Sequence, residues 1–159
     1  MIKKIDYKAL VFFTAIVFLS GFVGSFATFS QIETWYAGIN KPSFNPPNWI
    51  FGPVWTTLYF LMVLSSYLIY TSKKKRKYVE KDLNIFYAQL FLNSLWSVLF
   101  FGFQQLLLAS IEIIILNASI LWMILEFKKV NKKAAYLQIP YFLWACFATI
   151  LTLSIYALN

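Results

Sequence analysis

Apolar residues fill five stretches of about 20 residues each, at 9–29, 50–71, 83–103, 106–125 and 134–158, and polar or charged residues gather between them. Each stretch can cross the roughly 30 Å hydrocarbon layer as a helix rising about 1.5 Å per residue. The pattern predicts an all-α integral membrane protein, a bundle of five transmembrane helices forming one domain over residues 1–159. No room remains for a separate soluble domain.

Composition agrees with that pattern. Hydrophobic residues make up 60% of the chain and charged ones 13%, against roughly 45 to 50% and about 25% in soluble domains. The formal charge of +8 would suggest nucleic acid in a soluble protein, yet here it sorts by loop. Lys3, Lys4 and Lys8 lie at the start, the run KKKRK at 73–77 with Lys81 lies between spans two and three, and Lys128, Lys129, Lys132 and Lys133 lie between four and five. Only Lys41 lies elsewhere. With five spans every basic cluster falls on one side, which predicts a multi-pass protein of the cell membrane with its N-terminus cytoplasmic and its C-terminus outside. The basic clusters are expected to meet anionic lipid headgroups and no nucleic acid.

The N-terminal lysines and apolar run resemble a secretory signal, but the stretch is longer than a typical h-region and is read as a retained helix. Ser20, Gly24 and Thr28 lie on one line of it and Gly21 and Ser25 on the next, a spacing that lets helices approach closely in lipid.

Cys146 is the one cysteine and histidine is absent. An intrachain disulfide is thereby excluded, as are a CxxC pair and the usual metal and haem ligands. No metal site is expected and no cofactor is required.

Residues 30–48 form the longest stretch read as non-helical. The segment 35–59, WYAGINKPSFNPPNWIFGPVWTTLY, brings three tryptophans and four prolines together with Tyr36 and Tyr59. Lipid anchoring and helix breaking do not account for that density. Pro42, Pro46 and Pro47 predict an extended, stiff stretch over 41–47, and Asn48 is the expected N-cap of the second span. Pro53 predicts a widened or kinked entrance beside Trp49, Phe51 and Trp55, and Pro140 repeats the device by freeing the carbonyl of Tyr136. The expected geometry is a lid over 35–47 and a wall over 51–59 that faces Asn93, Trp96 and Trp144.

In the third span Gln89, Asn93, Trp96, Ser97 and Phe100 share one helical face. Interhelical hydrogen bonding and a cavity with a few polar handles both fit this stripe. Glu112 is the acidic residue well inside a predicted span, where a carboxylate costs about 2.5 to 3.5 kcal/mol on insertion scales. No cation stands at its depth. It is read either as a structural anchor, protonated or hydrogen-bonded to a Trp, Tyr or backbone group, or as a ligand- or proton-handling residue.

Phe51, Trp55, Tyr59 and Met62 share a face of the second span, and Trp144, Ala148 and Leu151 one of the fifth. Any single aromatic among them is explained by helix packing. Their convergence on small and polar neighbours suits a flat apolar ligand.

The blocks WYAGINKPSFNPPNWIFGPVWTTLYFLM, QLFLNSLWSVLFF, Glu112 in LASIEIIIL and IPYFLWACFATILTLSIYALN together resemble the TspO/MBR family. These are tryptophan-rich sensory proteins related to the mitochondrial translocator protein, the peripheral benzodiazepine receptor. The resemblance covers nearly the whole chain in order. It implies a five-helix bundle, usually a homodimer, that binds tetrapyrroles such as protoporphyrin IX and benzodiazepine-type ligands under the first loop. Position by position it implies pocket residues Tyr36, Pro47, Phe51, Trp55, Tyr59, Asn93, Trp96, Trp144, Ala148 and Leu151. Some bacterial members degrade protoporphyrin IX in light, which by resemblance assigns a catalytic part to Trp55 and Trp144.

Two departures limit the transfer. Ala157, Leu158 and Asn159 come after Tyr156, with no Lys or Arg among them as the family's cholesterol motif needs, so sterol binding through that motif is not expected. Thr152 stands where the family often has Asn. The reading drawn from sequence is therefore a receptor or sensor for tetrapyrroles and similar flat lipophilic ligands, with photodegradation of porphyrin as an added activity. A transporter of tetrapyrroles or other lipophilic anions with Glu112 as a proton-linked site is the alternative, and a bundle that regulates a partner membrane protein is the third.

Overall fold

The computed structural model describes residues 5–159, so Lys3 and Lys4 lie outside the described residues. Among those described, the chain is helical with no strand. The long helices are α1 (Tyr7–Phe29), α3 (Phe51–Tyr70), α4 (Arg76–Ser97), α5 (Leu106–Val130) and α7 (Ile139–Leu158), and the short ones are α2 (Trp35–Gly38) and α6 (Lys132–Leu137). Five helical segments are long and apolar enough to cross a membrane: Tyr7–Phe29, Asn48–Tyr70, Arg76–Gly102, Leu106–Val130 and Lys132–Leu158.

Local chemistry sets the ends. The Asp6 carboxylate accepts the Ala9 N–H at 3.1 Å, and the Asn131 side chain accepts from Lys133 and Ala134 to start α6; both satisfy helix-end donors that lack intrahelical partners. Lys128 and Lys129 stand in the last turn of α5, where the helix dipole favours cations. Helix α4 starts at Arg76 rather than near 83, because its charged first turns continue as helix beyond the apolar layer.

Several local expectations are corrected. The segment 30–48 is not wholly non-helical, since α2 forms a single turn there, with the Tyr36 N–H on the Gln31 carbonyl at 2.8 Å. Residues 41–47 are not extended throughout: the Asn45 N–H donates to the Pro42 carbonyl at 3.0 Å and bends the chain at Ser43 and Phe44, which no proline constrains. Asn48 makes no side-chain cap; it begins a 3-10 turn, Asn48–Ile50, ahead of α3. Pro53 then falls in the first turn of α3, where proline is tolerated, and the helix runs on unbroken to Tyr70. Pro140 divides the fifth span outright. The Gln138 N–H closes α6 onto the Ala135 carbonyl at 3.1 Å, and Pro140, which has no N–H to offer the Tyr136 carbonyl, sits at the start of α7.

After Ser97 the helix widens into a π turn, Val98–Gly102, closed by the Phe103 N–H on the Val98 carbonyl at 2.8 Å. The reversal into α5 places Gln104 at φ 56, a left-handed conformation uncommon outside glycine. Its side chain donates to Gln31 Oε1 at 3.1 Å.

Helix α1 packs on α3 and α4, α4 on α5, and α5 on α6 and α7. The half of the bundle that carries the basic clusters is filled by Phe13, Val17, Met62, Ile69, Phe86, Ile120, Met123 and Phe127. Its rim holds Glu126 between Lys81 at 3.0 Å and Lys129 at 2.8 Å. The smaller cluster of Tyr36, Phe100, Ala109, Leu151 and Ile155 occupies the opposite half, beside a cavity.

Candidate ligand-binding site

The cavity has a volume of about 330 Å³ and four helical walls. Helix α1 contributes Gly21, Gly24, Ser25 and Thr28; α3 contributes Phe51, Trp55, Thr56 and Tyr59. Asn93, Trp96 and Ser97 come from α4, with Phe100 and Phe101 from the π turn. Trp144, Phe147, Ala148, Leu151, Thr152 and Ile155 come from α7, while α5 supplies none.

Two glycines set the width. A Cβ at Gly21 would collide with the Tyr59 ring, and one at Gly24 would stand 3.1 Å from Ser97 Oγ. The small-residue face of α1 thus gives room to Tyr59 and Ser97 as well as bringing helices together. On the neighbouring line, Ser20 Oγ lies 2.7 Å from Ser94 Oγ and ties α1 to α4.

Rings line the opposing walls at close range. Trp55 and Tyr59 centroids are 5.5 Å apart, Phe51 meets Trp144 edge-on at 5.9 Å, and Trp96 stacks on Phe100 at 5.2 Å. These separations fall within the range in which aromatic pairs attract. The extra residue of the π turn carries Phe100 and Phe101 towards Tyr36, whose ring lies 6.2 and 5.5 Å from theirs.

The loop closes the site. Tyr36 is buried and donates its hydroxyl to Asn45 Oδ1 at 2.7 Å. Burial pushes its pKa up to about 12, against the opposing effect of the Asn45 hydrogen bond. Lys41 lies 4.9 Å from the centre of the Tyr36 ring and donates to the carbonyls of Tyr36 at 2.6 Å and Ile39 at 3.0 Å. Asn40 joins the loop to the end of α7 through Asn159.

Nine of the ten residues implied by resemblance therefore surround one space: Tyr36, Phe51, Trp55, Tyr59, Asn93, Trp96, Trp144, Ala148 and Leu151. Pro47 does not line it; it precedes the 3-10 turn, which it orients. Trp49 is 73% exposed and faces away, as tryptophans at membrane interfaces do. Met62 is buried in the filled half of the core. Of the polar stripe on α4, Asn93, Trp96, Ser97 and Phe100 reach the cavity. Asn93 also donates to the Tyr141 hydroxyl at 3.0 Å, so both readings of the stripe hold at that residue.

Gln89 is buried a turn earlier, without a hydrogen-bond partner among the described residues. Glu112 is likewise buried and absent from the cavity wall, and its carboxyl has no hydrogen-bond partner among the described residues, so of the two forms expected of a structural anchor, protonated or hydrogen-bonded, the second is not seen. Cys146 donates to Asn117 Oδ1 at 3.4 Å within a polar link that also takes Asn117 to Thr149 Oγ1 at 2.6 Å and joins α5 to α7. Among the described residues no group of His, Cys, Asp or Glu could hold a metal ion.

Sequence reasoning missed the α1 wall as part of the site. Its signal was present in Gly21, Gly24, Ser25 and Thr28, small residues repeating at helical spacing. Phe147 and Ile155 follow Trp144 and Leu151 at the same spacing, and so were also within reach.

Fold and site define a multi-pass membrane protein whose helices enclose an aromatic cavity beneath a loop. The chain belongs to the TspO/MBR family, which it matches over residues 13–158. It is 43% identical over 139 residues to the tryptophan-rich protein TspO of Archaeoglobus fulgidus, covering 87% of this chain and 89% of that protein. It is 35% identical over 150 residues to the human translocator protein, covering 92% and 88%. The tryptophan-rich sensory protein of Cereibacter sphaeroides is 32% identical over 127 residues, covering 80% and 78%.

Proposed function

We propose that this protein is a membrane receptor or sensor that binds tetrapyrroles, protoporphyrin IX among them, and similar flat lipophilic ligands between α1, α3, α4 and α7. The observation that carries this reading is the convergence of Trp55, Tyr59, Trp96 and Trp144 on one cavity beneath Tyr36. Aromatic walls with a few polar groups are the usual make-up of small-molecule sites. The sensory and translocator names of the relatives are in keeping with it. On this reading the receptor lies in the cell membrane with the basic ends of the helices on the cytoplasmic side, which the sorting of Lys and Arg by loop supports, and it works as a homodimer, which the family resemblance implies.

The reading extends to light-driven porphyrin breakdown. Porphyrin excited by light can activate dioxygen or oxidise a nearby indole, and Trp55 and Trp144 both line the cavity. Illuminated loss of porphyrin is expected to be faster with wild type than with the Trp55→Phe/Trp144→Phe variant. Equal bleaching in both, at the rate of free porphyrin in detergent, would remove this extension and leave binding untouched. Transport with Glu112 as the proton-linked group has less support, because Glu112 does not line the cavity.

Binding itself is tested by titrating purified protein with protoporphyrin IX and following tryptophan fluorescence. Saturable quenching that weakens in the double variant is expected. No quenching, or quenching that the double variant leaves unaltered, would overturn the pocket assignment.

A further inference from the structure

None of the 24 residues around the cavity is charged. The nearest basic candidate, Lys41, already gives its ammonium to three carbonyls, those of Tyr36, Ala37 and Ile39, at 2.6, 3.4 and 3.0 Å. An ammonium has three donors, so Lys41 has none left for a ligand while the loop keeps this form. The other basic residues, from Lys8 through the clusters at 73–81 and 128–133, stand at the opposite end of the bundle.

The cavity has a neutral polar side as well. Ser25 on α1, Tyr59 on α3, Ser97 on α4 and Thr152 on α7 each carry a hydroxyl without a hydrogen bond among the described residues. The hydroxyls of Thr28 and Thr56, by contrast, are bonded to backbone carbonyls at 2.8 and 2.9 Å. Four unengaged hydroxyls on four walls can each donate or accept, which suits uncharged heteroatoms. An ionised carboxylate taken into such a space would lose its hydration with no cation to replace it.

We propose that the cavity selects ligands whose enclosed part is uncharged and carries neutral heteroatoms, and that any carboxylate of a ligand stays at the mouth, where the lining residues Ser25, Phe29, Asn48, Gly52 and Thr56 are exposed. This rests on the cavity reading given above. For a porphyrin it means that the ring enters with its propionate edge outward. Esterifying that edge then removes no contact on which binding depends.

Two ligand pairs test the idea in the same lipid nanodiscs, with uptake by protein-free discs subtracted. One pair is protoporphyrin IX and its dimethyl ester; the other is anthracene-9-carboxylate and anthracene-9-carboxamide. The neutral member of each pair is expected to bind at least as tightly as the acid, with affinity insensitive to salt. Ser97→Ala combined with Thr152→Val is expected to weaken the neutral members by about tenfold, or about 1.4 kcal/mol. If the acids bind about tenfold more tightly and lose affinity as salt rises, the inference is overturned. If the porphyrin pair fails while the carboxamide outbinds the carboxylate, the inference stands and the porphyrin reading falls. If neither pair binds, both are overturned.

Discussion

Asn40 and Asn159 hold one another by two reciprocal hydrogen bonds. The Asn40 backbone N–H donates to Asn159 Oδ1 at 2.9 Å, and Asn159 Nδ2 donates back to the Asn40 carbonyl at 2.9 Å. A third bond runs from Asn40 Nδ2 to the Leu158 carbonyl at 3.2 Å. The loop that carries Tyr36 over the cavity is thereby fastened to the helix that carries Trp144.

Breaking this clasp should loosen the loop more than it unfolds the bundle. Hydrogen bonds of this kind contribute about 0.5 to 1.5 kcal/mol each, and these are exposed to solvent. Asn159→Ala is expected to speed ligand dissociation by about fivefold, equivalent to about 1 kcal/mol, with the melting temperature little changed. Stopped-flow recovery of tryptophan fluorescence measures this.

Gly21 faces the Tyr59 ring where a methyl group cannot fit. Gly21→Ala should therefore destabilise the bundle by about 1 to 3 kcal/mol, as overpacking does, and push Tyr59 across the cavity. Thermal unfolding in detergent should show the loss. Adding Tyr59→Leu should restore much of the stability, because it removes the ring that is struck.

Asn93 and Tyr141 test the polar link under the cavity. Tyr141 is fully buried and accepts from Asn93 Nδ2 at 3.0 Å. Tyr141→Phe leaves that amide unpaired, for an expected loss of about 1 kcal/mol. The further change Asn93→Leu should recover part of it, because no unpaired buried group then remains. A double-mutant cycle on unfolding free energy measures the coupling.

The Tyr36 hydroxyl gives the loop a dependence on alkaline pH. Burial holds its pKa at about 12, above its ordinary value of 10.0. The closed loop therefore binds the proton more firmly than the open one, so closure is undiminished below pH 10 and is lost as pH rises towards 12. Ligand affinity should be flat through neutral pH and fall in that alkaline window. In Tyr36→Phe the fall should disappear.

The five spans were legible because apolar runs of membrane length leave little choice of structure. The cavity was legible in part, since Trp55, Tyr59, Trp96 and Trp144 recur at helical spacing on faces that also carry small or polar residues. Pro140 signalled a disturbance, but a proline can bend a helix or start a new one, and the Gln138 N–H bonded to the Ala135 carbonyl made it a start. The π turn at Val98–Gly102 had no comparable marker in VLFFG, which carries no proline; the turn packs against α1 and α5, residues distant in sequence. Pro47 was drawn into the site by resemblance, whereas its fixed φ of -57 acts on the entry to the 3-10 turn.

The most direct test of the central claim is a structure of the protein with protoporphyrin IX bound. The ring should lie between the α1 and α7 walls, within contact of Trp55 and Trp144, below Tyr36 and with its propionates at the mouth. Density for the ligand on the lipid-facing surface, with the cavity unchanged, would contradict the account.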